Sequence, residues 1–593
     1  MKKRQLLMGL GLVLLPVALM LPSLTSCSSK SNPTTSTTSI TTTTTAAVNS
    51  ATPVYGGTMT VLNDVGAQDP NSFDIGTTQM GNVTSVYINP YLEPFFDGNI
   101  NTFGPRGSNA YAFQTDAYIP DQYLAGNIAQ SWSFQENPLS LTITLKPGIM
   151  WTGNSNIGMA PRELTAQDCV FAETRQFQAP SMAPYFTWIK DCVDVDQYTF
   201  KYDFNSYQVG WEFYLLYGGG LAFPFAPESA NAPNGGGANW KNAVGTGPFE
   251  LSNFVDGSSV TYTKNPNYWG KTTIAGTQYS TPFIQSLVYL IIPDQSTQLA
   301  AMQTGKLDLW TQVPTTQGST LHQQAPDMIQ EKWESDSLDI MVMNRKAAGP
   351  LSNLQVRQAL CEATDFNTIA QNVYGGGDIL GWPVARGNPS YTPLEDESSQ
   401  IQALFSFNTT EAQQMLTAAG YPKGFTTSIT IDSAYSQEAD EATIIAADWA
   451  KVGVTANIIQ INSTALAEER DNDNYTGLIC FPVFTDSSTT PLAWYQGSTL
   501  GGEYKTGDPL DVEANAALQE EDPAKQQTDV TQFCKDAILD CGIIGMPNPY
   551  EINCYWPWLR NYYGEIDAAY HNQVPMISEL WIDQTLKTSD GYH

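Results

Sequence analysis

The run Leu287-Val-Tyr-Leu-Ile-Ile292 is apolar throughout and stops at Pro293-Asp294. A run of this length, bounded by turn residues, reads as a buried strand. A helical pattern over 295–305 follows at once, stopped by Gly305, and Leu307-Asp308-Leu309-Trp310 opens the next apolar stretch. This unit recurs along the chain. Tyr55 to Leu62 reads as a short strand launched from a Gly turn, and Leu141 to Leu145 alternates up to the turn Lys146-Pro147-Gly148. Thr165 is placed to cap a helix over 166–176. Val244 to Phe249 reads as a turn into a strand, and Val260 to Thr263 as a further strand. The second half repeats the pattern: strands at 338–343, 428–431, 454–459 and 477–484, with helices at 354–374, 409–420 (capped by Asn408) and 437–452. Alternating strands and helices point to an α/β fold, not a sandwich or a bundle. At 593 residues the chain holds about three to five structural units.

The N-terminus carries a different signal. Met1-Lys2-Lys3-Arg4 precedes an apolar run from Leu6 to Leu21, broken at Pro16 and followed by Pro22. The run is shorter than the ~20 residues a membrane span needs, and its layout is that of a secretory signal over 1–26. Leu24-Thr25-Ser26-Cys27 resembles a bacterial lipobox, which makes Cys27 the expected lipidation site. Residues 28–53 are a low-complexity Ser/Thr tract without a packing face. Together with Cys27 they read as a tether over 27–54, with a root-mean-square reach of roughly 30 Å. The expected location is the outer face of the cytoplasmic membrane or the periplasm.

Charge and residue usage exclude several functions. Lys+Arg is 27 against Asp+Glu 59, a net charge of −32, so the chain lacks the basic footprint of a nucleic-acid binder and is repelled by anionic lipid. Contact with the membrane is expected through the lipid alone. The three histidines, His322, His571 and His593, are far apart in sequence, so neither a His-rich metal site nor any cofactor is expected. Besides Cys27 there are seven cysteines, an odd and scattered set. Cys169–Cys192 and Cys534–Cys541 are the nearest pairs that could bridge; buried free thiols are the alternative. No GxSxG or HExxH motif is present, and an enzyme is not expected. The acidic groups Glu520/Glu521/Asp522 and Glu438/Asp440/Glu441 read as solvated helix faces or ends.

Nine segments, in this order, resemble one family. They are YGGTMTV (55–61), LAGNIAQSWSF (124–134), LTITLKPGIMWTG (141–153), LTAQDCVFAETR (164–175), VGTGPFEL (244–251), KNPNYWG (264–270), IIPDQSTQLAAMQTGKLDL (291–309), VRQALCEATDFNTI (356–369) and AAGYPKGF (418–425). The chain is similar to the extracytoplasmic solute-binding proteins of ABC importers, in the oligopeptide, dipeptide and nickel class (family 5). The resemblance implies a two-lobed periplasmic-binding-protein-like fold of type II, with an extra subdomain in lobe one and solute enclosed between the lobes. The expected boundaries are 55–335 for lobe one (subdomain about 96–240), 336–545 for lobe two, and 546–593 for a return to lobe one. The stretches 97–122 and 226–240 depart from the family pattern and are expected to shape the cleft mouth. The motifs themselves are read as scaffold. Trp269 is expected to pack on the sheet, and Arg357 to brace a carboxylate.

Binding residues are expected on loops at strand ends that face the gap. The loop after 477–484 is the leading one. In peptide-binding relatives an aspartate at the corresponding strand end accepts the peptide's α-ammonium, and Asp486 falls on that position; the alternative is an Asp that caps the following turn. Thr490 stands where a second acidic residue is common, which weakens a strict peptide reading. Phe484, Trp494 and Tyr495 flank the loop, Trp556 and Trp558 lie near the return crossing, and Trp382 follows Gly375-Gly376-Gly377. Such rings stack on sugars or pack over peptide side chains. Arg386 is the cation expected to meet a ligand carboxylate. The function these readings support is a lipid-anchored, monomeric receptor that binds a peptide and delivers it to ABC permease and ATPase subunits. An oligosaccharide or other polar solute is the alternative ligand, and a surface complex-associated protein without uptake is the alternative role.

Overall fold

The computed structural model describes residues 52–63, 68–70, 72–76, 82–115, 118–180, 182–183, 186–218, 222–346, 349–485, 487, 489–497 and 504–591. The signal segment, Cys27 and the tether up to 51 lie outside the described residues, as does Asp486.

The first sheet is built around Thr58–Leu62, which pairs in parallel with both Ser286–Leu290 and Leu309–Pro314. Its order runs Phe249–Val255, Ser259–Lys264, Ser286–Leu290, Thr58–Leu62, Leu309–Pro314, Asn548–Tyr555, Ile329–Glu334. Asn548–Tyr555, the last strand of this sheet in chain order, thus sits inside a sheet begun nearly five hundred residues earlier, antiparallel to both neighbours. A separate antiparallel sheet, Ala129–Glu136, Leu139–Leu145, Thr199–Phe204 and Ile189–Asp194, shares the same hydrophobic core.

The second sheet has the order Thr455–Ile461, Thr426–Asp432, Leu478–Phe484, Ser337–Met343, Ile543–Gly545. Side chains alternate along Ser337–Met343 as a strand requires. Leu338, Ile340 and Val342 pack with Tyr495, Tyr504 and Phe533 on one face, while Met341 and Met343 pack with Leu360 and Trp449 on the other. Trp449 is fully buried and its Nε1 donates to Leu360 O and Thr364 Oγ1, both at 3.0 Å. A buried indole removes about 200 Å² from water, roughly 5 kcal/mol at the usual coefficient.

Local chemistry explains the helix ends. Thr165 and Asp168 form a capping box at the start of Ala166–Phe177, and Asn408 accepts the Glu411 N–H at the start of Thr409–Ala418. The single helix read over 354–374 is in fact two, Leu354–Glu362 and Phe366–Val373. Asp365 breaks it by accepting the Thr368 N–H as a new N-cap. The Gly in VGTGPF is needed for close approach, since a Cβ on Gly245 would overlap the Tyr91 carbonyl. Arg357 does brace a carboxylate, donating to Asp540 Oδ1 at 2.7 Å. Trp269 packs against the first core as expected, and its Nε1 also donates to Glu93 Oε2 at 3.3 Å. All seven described cysteines are buried free thiols, so neither Cys169–Cys192 nor Cys534–Cys541 is bridged.

Two short crossings join the sheets. Ser335 and Asp336 alone separate Ile329–Glu334 from Ser337–Met343, and Met546 and Pro547 alone separate Ile543–Gly545 from Asn548–Tyr555. They run side by side: Ser335 N–H donates to Pro549 O at 3.0 Å and Met546 N–H to Asp339 O at 2.8 Å. Two adjacent two-residue links between rigid sheets are the geometry of a hinge.

Candidate functional site

The strand Leu478–Phe484 ends at the crossings, so its loop opens where the two sheets face each other. Thr485 anchors that loop. Its N–H and Oγ1 donate to Asp336 O at 2.7 and 2.9 Å, and its carbonyl accepts Ala385 N–H at 2.9 Å. Further on, Thr489 lies over Gly210, where a Cβ would come within 3.2 Å of Thr489 Oγ1. The loop therefore touches the first lobe at 210 and the crossing at 336.

The first lobe answers with aromatic rings. His571, from the returning segment, lies with its ring centroid 5.6 Å from that of Phe484. Tyr570 packs 4.5 Å from His571 and 5.6 Å from Phe213. Phe213 opens a π-helical turn, Phe213–Tyr217, a local irregularity that often accompanies functional sites. Asn89 fixes the return segment by donating to His571 O at 2.9 Å. Part of the 97–122 stretch reaches the crossing, where Thr115 Oγ1 donates to Asp336 Oδ2 at 2.9 Å.

The surrounding groups are acidic, and burial favours the protonated form of Glu212 and Asp121. Burial, and then the neighbouring Asp121, push the Glu212 carboxyl up to about 8. Tyr207 is pushed up to about 12 by burial and by Glu212, Glu521, Asp121 and Glu136. Glu521 belongs to the second lobe, so both lobes place carboxylates around Tyr207.

Several residues expected at the gap lie elsewhere. Trp556 and Trp558 are core side chains of the first lobe, stacked at 4.8 Å, with their Nε1 atoms donating to Met302 O at 3.1 Å and Asp308 Oδ1 at 2.8 Å. They follow directly on the strand Asn548–Tyr555, and both indoles enter the first hydrophobic core. Trp382 and Tyr495 are likewise buried behind the second sheet, joined by a 2.9 Å bond from Trp382 Nε1 to Tyr495 Oη. Trp494 is half-buried and packs on Phe481 at 5.1 Å. Arg386 is not a waiting cation: it donates to Asp378 Oδ2 at 2.6 Å and lies 3.7 Å from Glu334, bracing the crossing. Phe484 faces the other lobe, and Asp486 lies outside the described residues. Nothing local in the sequence marks His571, Gly210, Glu212 or Asp336 as residues of this region. Among the described residues no group of three or more His, Cys, Asp or Glu is arranged to hold a metal ion.

Comparison with known proteins bears on this geometry. The model of the family "Bacterial extracellular solute-binding proteins, family 5 Middle" matches residues 124–504. Heme-binding protein A of Haemophilus influenzae is 27% identical over 361 residues, 56% of this chain and 60% of the relative. The dipeptide-binding protein of Escherichia coli is 26% identical over 358 residues, 56% of this chain and 62% of the relative. The chain thus spans somewhat under two thirds of the length of these curated relatives. Among solved structures, the periplasmic binding protein DppA of Helicobacter pylori in complex with the peptide STSA is similar with a TM-score of 0.68 at 18% identity, covering 89% of this chain and 99% of that one. That likeness establishes the two-lobed type II fold.

Proposed function

The chain belongs to the bacterial extracellular solute-binding proteins of family 5, and from that premise we propose that it is a lipid-anchored receptor that closes on a peptide and presents it to an ABC permease. The observation that carries the reading is the meeting of Phe484 with His571 beside the crossings. It brings the end of the strand Leu478–Phe484 against the first lobe, where the lobes meet. The dipeptide-binding relative and the peptide-holding structure favour a peptide as solute. The receptor binds and releases without chemistry. Cys27 carries the lipid, and the Ser/Thr tract lets the body sit off the membrane.

Calorimetry with free and N-acetylated short peptides, on wild type and Asp486→Asn, tests the ligand. Asp486→Asn is expected to weaken the free peptide by roughly 1.5–3 kcal/mol, the scale of a hydrogen bond to a charged group, and to leave the acetylated one nearly unchanged. Equal losses for both peptides would mean that amine and carboxylate do not meet, and a sugar or other polar solute would then be the better reading.

A further inference from the structure

The far end of the second lobe carries a groove that solute binding does not use. It has a volume of about 1150 Å³ and lies among the helices Leu354–Glu362, Thr409–Ala418, Pro509–Leu518 and Pro523–Asp540. Arg345 stands in its wall two residues past Met343, and Met343 is the end of its strand opposite to Ser337 at the crossing. The groove is therefore separated from the gap by the length of the sheet.

Its chemistry is unbalanced. Glu362 is only 4% exposed and lines the groove; its carbonyl accepts the Asn408 N–H at 2.9 Å, but its carboxylate makes no hydrogen bond or ion pair with the described residues. Burial raises its carboxyl, and so does Glu411 on the neighbouring helix. Glu513 repeats the arrangement: its Oε2 is buried without a hydrogen-bond partner, and Asp536 on the facing helix raises it further after burial. Two like-charged pairs thus face each other across helix boundaries, and such pairs destabilise the fold that holds them. The cation in the wall, Arg345, is already committed. Its guanidinium lies 4.2 Å over the Tyr504 ring and 3.5 Å from Asp540. Beside the carboxylates, Leu354 is 46% exposed, and Leu404, Met415 and Leu539 continue the apolar lining.

We propose that this groove docks a basic amphipathic segment of a partner protein, with Lys or Arg side chains set between Glu362 and Glu411 and between Glu513 and Asp536, and apolar side chains laid along Leu354 and its neighbours. A cation placed between two carboxylates turns their repulsion into attraction, which accounts for the Glu362 carboxylate and the Glu513 Oε2 being held inside the chain without a side-chain partner. The volume exceeds what small-molecule pockets usually offer, and its walls are helices, as in helix-in-groove recognition. Nucleic acid and anionic lipid are excluded by sign.

The test uses a short helical peptide of Leu and Lys, its Glu counterpart, and the polyamine spermine, each titrated into the full mature chain at low ionic strength, where charge is least screened. The Lys peptide is expected to bind and the Glu peptide not to. Glu362→Gln/Glu513→Gln is expected to weaken the Lys peptide by about tenfold, whereas the charge-matched control Asp194→Asn/Asp196→Asn costs less than about twofold. Carbodiimide cross-linking of the Lys peptide to the unmodified chain should map to Glu362, Glu411, Glu513 or Asp536, a readout independent of any variant's stability. Equal weakening in both variants, cross-links spread over the surface, or spermine binding as tightly as the peptide would each overturn the proposal.

Discussion

The ring of Phe484, the last residue of a second-sheet strand, packs at 63° to the imidazole of His571, which the chain supplies only after returning to the first sheet. The contact spans the two lobes. A tilted aromatic pair contributes about 0.5–1.5 kcal/mol beyond its buried area. A double-mutant cycle of Phe484→Leu and His571→Leu on peptide affinity is expected to return a coupling energy of that size. Additive losses would show that the pair does not help hold the lobes together around solute.

Arg386 offers the opposite expectation. Its side chain is 50% exposed and tied to Asp378 and Glu334. Exposed ion pairs of this kind contribute about 0–1 kcal/mol. Arg386→Ala should lower the melting temperature slightly and leave peptide affinity within about twofold of wild type. A collapse of affinity with an unchanged melting curve would instead return Arg386 to the list of solute contacts.

Most strands and helices were legible because each rests on a local pattern, whether period-two alternation, an N-cap or a Gly stop. The strand read over 477–484 is observed as Leu478–Phe484, and the helix over 437–452 as Ser436–Ala450. The site was not legible in the same way. Asp336, Phe484 and His571 are separated by long stretches of chain, and only the crossings bring them together. Glu438 and Glu441 show the other limit. Acidic residues near a helix start look solvated, yet both are fully buried, because this side of the helix packs down over Asp339 and Cys480 of the sheet. A polar-residue count cannot say which face a helix turns inward.

The proposed membrane attachment rests on Cys27 and the residues before it. Cys27→Ala should move the protein from the detergent phase to the aqueous phase after phase separation, without changing its melting temperature. Retention of the variant in the detergent phase would exclude the lipid as the anchor.

The buried carboxyls of the second lobe set a pH dependence of stability. Burial and Asp339 push Glu438 up to about 8, and burial pushes Asp339 up to about 7. Glu441 is raised as well, by burial and then Asp339, although Tyr374 and Cys480 donate to it. Carboxyls of the unfolded chain titrate near about 4. A folded-state value above that means the protonated form is favoured in the fold, so the stability these groups contribute is fully present below about pH 4. It is lost progressively as the pH rises through about 7 to 8, with a limiting slope of about 1.4 kcal/mol per pH unit for each group. Denaturant melts should therefore show the wild type losing stability steadily from mildly acidic to mildly alkaline buffer. Glu438→Gln keeps the size and the acceptor for the Asp432 N–H but cannot ionise. It should match the wild type near pH 4 and exceed it near pH 8 by on the order of 2 kcal/mol. Some slope should remain in the variant, because Glu173 in the first lobe is also fully buried and raised to about 8. Parallel profiles for variant and wild type would mean that Glu438 stays ionised inside the fold, and the buried cluster would then need a cation that its surroundings do not supply.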